Sequence, residues 1–144
     1  MALVELLLPP VPAHVRTARM VVVAAARRAG LDDDCVADLR LALGEACSRA
    51  VGLHLLHAPD RPVAVAVRDD ATGLSVTVTD EGPRPAGAGG DAAGMLEDDG
   101  DDAVANPDVA LAVMAALVDD LEVSSGATGT VITMRWPLAV RRPL

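Results

Sequence analysis

Phenylalanine, tyrosine and lysine are absent from this sequence, and Trp136 is its single aromatic residue. A core must therefore be assembled from aliphatic side chains, chiefly the Ala, Val and Leu that carry most of the 51% hydrophobic content. Cysteine is scarce. Cys35 and Cys47 are too few for a disulfide framework or a zinc site. Lying twelve positions apart in one helical stretch, they are separated by about 18 Å, beyond the reach of a bridge. They read as small core residues of a reducing compartment. No apolar run approaches the roughly 18 residues of a membrane span, and no basic segment precedes an apolar one as in a secretory leader. The chain is accordingly expected to be cytoplasmic.

Basic residues are few and of one type. All twelve are Arg, against 21 acids, giving a formal charge of −9. That charge argues against a nucleic-acid partner, because phosphate contacts need clustered bases. A protein partner with a basic surface suits the net charge better. His14, His54 and His57 have no Cys or grouped acid at ligand spacing, so no metal site is expected. Ser48 has no base or oxyanion signature beside it and is set aside as a nucleophile. A length of 144 residues fits one domain.

Along the chain, ALVELLL at 2–8 predicts a short strand ended by Pro9 and Pro10. A helix follows from Pro12, stopped at Gly30 after Arg27 and Arg28. LDDDC offers three aspartates to cap the next helix. In that helix Cys35, Leu39, Ala42, Leu43, Ala46, Ala50 and Leu53 define one apolar face. Glu45 and Arg49 lie together roughly 100° from the centre of that face, beside Leu41 and Gly52. The period then changes to two: Val63, Val65 and Val67, then Leu74, Val76 and Val78, predict a hairpin with one buried face. Residues 81–105 are rich in Gly, Pro, Ala and Asp and lack any period, so 83–105 is expected to be a flexible acidic lid loop. Asn106-Pro107 restarts a helix with Asn as cap and Pro in the first turn. LEVSS and GTVITMRW supply two more strands.

The order β-α-α-β-β-loop-α-β-β is most simply buried as an α/β (α+β) two-layer sandwich. Its mixed, mostly antiparallel sheet would be covered on one face by about three helices, with residues 1–144 forming one domain. Read together, the VPAHVRTAR helix, LRLALGEACSRAV, VTDEG and VALAVMAALVDDLEVSSGATGTVITMRW resemble the histidine-kinase-type ATPase domain, the Bergerat fold, and within it the branch of anti-sigma-factor serine kinases. The resemblance covers nearly the whole chain, and its strength lies in the order of the motifs, each of which is short.

That resemblance implies roles. Glu45 matches the acid that orients or deprotonates the attacking group. Asp80 and Gly82 match the box whose Asp accepts a bond from the adenine amino group and whose glycine lets the backbone approach the nucleotide. Thr130 matches a threonine near the adenine. Three departures stand beside these matches. Arg49 occupies the place of the magnesium-binding Asn, yet a guanidinium has five donors and no acceptor, whereas magnesium requires oxygen ligands. Arg84 replaces the second glycine of the box. Pro107 and Asp108 stand where a helix N-terminus would receive phosphate, one lacking an N–H and the other adding negative charge. All three fall on phosphate and metal, and none on the fold.

Each residue also has a plain structural reading. Glu45 and Arg49 at i and i+4 would make a helical ion pair contributing about 0.2–0.5 kcal/mol. Asp80, Gly82 and Gly129 suit turns, and Thr130 suits a strand. Three functional classes stay open. The first is an anti-sigma-factor-like regulator that binds a sigma factor or an antagonist protein, as a homodimer, with no cofactor expected. The second is an active ATP- and magnesium-dependent protein serine kinase, with Arg49 touching phosphate directly. The third is a regulator that takes another small ligand in the vacated pocket.

Overall fold

The computed structural model describes residues 2–82 and 107–137. Strand β1 is Ala2–Leu8, helix α1 Ala13–Ala29, α2 Asp33–His57, β2 Val63–Asp70 and β3 Gly73–Asp80. Helix α3 is Pro107–Leu117, followed by β4 Asp120–Gly126 and β5 Gly129–Pro137. The expected lid over 83–105, with Arg84 and its glycines, lies outside the described residues, as does the Asn106 cap.

The five strands form one sheet in the order β1-β2-β3-β5-β4, and all four pairings are antiparallel. Alternation decides which face is covered. Val63, Val65 and Val67 of β2, Leu74, Val76 and Val78 of β3, and Ile132, Met134 and Trp136 of β5 are all buried on the helical side. Helix α2 is the centre of the second layer, with α1 and α3 both packed against it and α2 itself on β2 and β3. The result is the two-layer α+β sandwich expected from the element order, with a sheet that is antiparallel throughout the described residues rather than mixed. Its core is aliphatic, with Leu39, Leu43 and Met114 fully enclosed and Trp136 at one end of the sheet.

Local grammar sets the helix ends. Asp32 caps α2, its carboxylate accepting the Cys35 N–H at 2.8 Å. That bond holds the Asp32 carboxyl below its ordinary range. Gly30 ends α1 at φ 95°, a left-handed conformation that β-carbon-bearing residues avoid, and its N–H returns to the Arg27 carbonyl. The buried face of α2 is wider than the sequence pattern suggested. Val36, Cys47, Val51 and His54 join it, whereas Cys35 and Leu53 are half-buried. Burial pushes the Cys47 thiol up to about 12, partly opposed by the Arg19 guanidinium, so Cys47 is an inert packing residue.

Candidate functional site

The C-terminal half of α2, the end of β3 and the start of β5 meet at one end of the sheet. Antiparallel register places Asp80 directly opposite Thr130. Both are buried, at 3% and 2% exposure, and the Thr130 hydroxyl shares a hydrogen bond of 3.2 Å with that of Ser125. Gly82 stands two residues after Asp80, and its N–H donates to Asp80 Oδ1 at 3.1 Å. A side chain at position 82 would press on Leu53 of α2, with 3.0 Å between β-carbons. At Gly129, where φ is 147°, a β-carbon would strike the Asp80 carbonyl, so this turn glycine also keeps β5 close to Asp80.

Arg49 reaches into this cluster from α2. Its Nη1 donates to Asp80 Oδ2 at 2.8 Å, and the two side chains are only 6% and 2% exposed. This corrects the expectation of an exposed pair between Glu45 and Arg49. Among the described residues the guanidinium pairs with Asp80, 31 positions away, and Glu45 is half-buried without an ion-pair partner. Helical spacing favours the i, i+4 pair only on a solvated face, and Arg49 lies under the end of β3 instead. Arg49 Nε is buried with no acceptor among the described residues, which leave the pair not fully satisfied. The four residues expected to touch nucleotide, Arg49, Asp80, Gly82 and Thr130, are thus brought together. Glu45 stands one turn back along α2.

His54 is the site residue that sequence reasoning missed. It is fully buried, accepts the Glu81 N–H at Nε2 and donates from Nδ1 to the Arg61 carbonyl, both at 2.8 Å. The partners fix the tautomer, because a backbone amide can only donate and a carbonyl can only accept. One neutral imidazole therefore ties the end of α2 to the segment before β2 and to the residue after Asp80. The only sequence signal was a polar residue on an otherwise apolar helix turn.

The chemistry of the donor set can be compared with that of a magnesium nucleotide. Each Asp80 oxygen already accepts one bond, from Arg49 and from Gly82. Arg49 has no lone pair for a cation, so these residues do not fit a magnesium ion held at position 49. Among the described residues, no group of three or more His, Cys, Asp or Glu could hold a metal. A separate cleft of ≈ 440 Å³ opens at the opposite end of the sheet, beside Gly73, Asp119 and Trp136.

The fold has solved relatives. It superposes on the crystal structure of the RsbU and RsbW domains of Rv1364c from Mycobacterium tuberculosis with a TM-score of 0.66 and 20% sequence identity. The match covers 94% of this chain but 31% of that one, so this chain spans about a third of that protein's length. At this identity the likeness speaks for the fold alone. No curated protein matches. The family model for the histidine kinase-like ATPase domain matches residues 8–136, from the end of β1 to Trp136, and the chain belongs to that family.

Proposed function

We propose that this chain is a regulator of the anti-sigma-factor type, which acts by protein–protein contact and whose nucleotide site is closed by its own Arg49–Asp80 pair. The observation that carries this reading is the buried 2.8 Å ion pair. The carboxylate that the family pattern assigns to the adenine amine instead faces a permanent cation of the same chain. The cation stands where the pattern requires an oxygen ligand for magnesium. Removing both groups from water is expensive, and such a pair holds one arrangement tightly once formed.

A protein-binding role needs a stable sheet, an exposed helical layer and surface charge, and the chain has all three. Partners on this reading are a sigma factor, an antagonist protein or both, with the chain paired as a homodimer in the cytoplasm. Among the described residues no helix is long and apolar enough to cross a membrane.

The active-kinase reading asks Glu45 to orient a substrate hydroxyl and Arg49 to hold phosphate. Arg49 is suited to phosphate in type, but it is committed to Asp80. The test combines two assays. The purified chain should co-elute with a sigma factor or a small antagonist protein from its own genome, and it should transfer no labelled phosphate from ATP to that antagonist. Transfer abolished by Glu45→Ala would make the chain a kinase. Failure to capture any such partner would remove the anti-sigma assignment.

A further inference from the structure

The sheet ends in a second cleft, away from the Arg49–Asp80 cluster. It encloses ≈ 440 Å³ and opens where the β2–β3 turn, the start of β4 and the end of β5 converge. Antiparallel register brings these ends together, setting Gly73 opposite Pro137 and Asp120 opposite Arg135. Gly73 permits the close approach, because at its φ of 153° a β-carbon would strike the Trp136 carbonyl. Leu74 and Trp136 give the cleft its apolar lining, and Asp70, Asp119, Asp120 and Arg135 give it charge.

Trp136 is the unusual member. It is only 5% exposed, yet among the described residues its indole N–H meets no acceptor and is not one of the polar atoms sealed from water. A buried indole ordinarily finds a hydrogen-bond partner, and here the place for one lies in the cleft. The charges around it are unbalanced as well. Arg135 is already engaged by Asp120 and Glu122. Asp119 has no ion-pair partner among the described residues. Asp70 uses Oδ1 to accept the Thr72 and Gly73 N–H groups, which fixes the carboxylate and leaves Oδ2 unpaired among the described residues.

We propose that this cleft is the docking site for an extended basic segment of a protein partner. A Lys or Arg side chain of the segment would meet the Asp70 and Asp119 carboxylates, and a backbone carbonyl of the segment would accept the Trp136 N–H. This rests on the protein-binding reading above and gives the partner's chemistry at one place on the fold. The volume is that of a small-ligand pocket, enough for one long side chain and the peptide unit that bears it. Three acids beside one engaged base disfavour a phosphate, a nucleotide or a nucleic acid. A free polyamine would satisfy the carboxylates but, being protonated, has no acceptor for the indole donor. Among the described residues no group of His, Cys, Asp or Glu here could hold a metal ion.

Trp136 is the only tryptophan of the chain, so its indole N–H gives one resonance that reports on the cleft directly. The labelled full chain is titrated with an end-blocked Ala/Arg peptide, with an Ala/Glu peptide of equal length and with spermine. The expected result is a saturable shift of the indole signal with the Ala/Arg peptide alone. Asp119→Lys should weaken binding about ten-fold or more, against about two-fold or less for Asp60→Lys, which makes the same charge change before the other end of β2. Trp136→Phe keeps an aromatic ring and removes the donor, and calorimetry should show a loss of about three-fold or more. An unmoved indole signal, a shift with spermine or the Ala/Glu peptide, equal losses in the two charge variants, or unaltered affinity in Trp136→Phe would each overturn the proposal. The peptide is independent of any cognate partner, so this result and the co-elution result can fail separately. Amide spectra of the three variants establish that the fold is intact.

Discussion

Arg49 and Asp80 are the two residues on which the site depends most, and their energetics can be separated. Deleting one member of a buried pair leaves the other as an uncompensated charge, at a cost of about 3–5 kcal/mol. Arg49→Met and Asp80→Asn should each destabilise on that scale, the latter retaining an acceptor for the Gly82 N–H. The double variant should lose less than the sum of the singles by about 2 kcal/mol or more, measured from urea midpoints in a double-mutant cycle. A coupling near zero would show that the 2.8 Å contact does not hold the site together. His54 makes a second residue-scale case. His54→Leu preserves volume roughly but leaves the Glu81 N–H and the Arg61 carbonyl unpaired, each costing about 1–3 kcal/mol. Hydrogen exchange should accelerate at the Glu81 amide in that variant, and unchanged protection there would remove His54 from the role of strut.

Elements are held at their ends by carboxylates, and this gives the protein a defined acid limit. Asp32 caps α2, and Asp70 closes the β2–β3 turn by accepting the backbone N–H groups of Thr72 and Gly73. Both carboxyls are held below their ordinary value of 3.8: Asp32 by the Cys35 amide, Asp70 by the Thr72 hydroxyl and then its amide. The unfolded chain therefore binds protons more readily than the folded one below that value. Stability from these ends is present above pH 3.8 and is lost as pH falls through the lower folded values. Urea midpoints should be level from pH 6 to 5 and fall towards pH 3. Asp32→Asn, which still caps, and Asp70→Asn should each make the fall shallower. An unaltered slope in both variants would place the acid sensitivity elsewhere.

At the scale of the whole molecule, strands and helices were legible because an aliphatic core leaves a clean period of two or of 3.6, interrupted by Pro and Gly at nearly every boundary. The gathering of Asp80, Gly82, Thr130 and Arg49 was legible through the order of the motifs. The partner of Arg49 was not, because local spacing offers Glu45 four residues away and cannot register that a strand end lies over the helix. His54 was hidden for the same reason: both its partners belong to other segments. The tertiary pairing is what carries the functional conclusion, and ligand linkage tests it on the entire fold. A ligand at 100 times its dissociation constant stabilises the folded state by about 2.7 kcal/mol, and for a chain of this size each kcal/mol raises Tm by roughly 2–4 °C. With millimolar ATP and magnesium the unmodified protein should therefore show no shift, because Arg49 already occupies Asp80 and supplies no oxygen to a cation. Arg49→Asn frees the carboxylate and restores an amide oxygen at that position, so a shift should emerge against its own lower baseline. A rise of several degrees in the unmodified protein would sink the closed-site reading and return Glu45 to the role of catalytic acid or base. No shift in either protein would move the loss of affinity to Arg84 and to Pro107-Asp108, where the sequence departs from the family pattern a second and a third time.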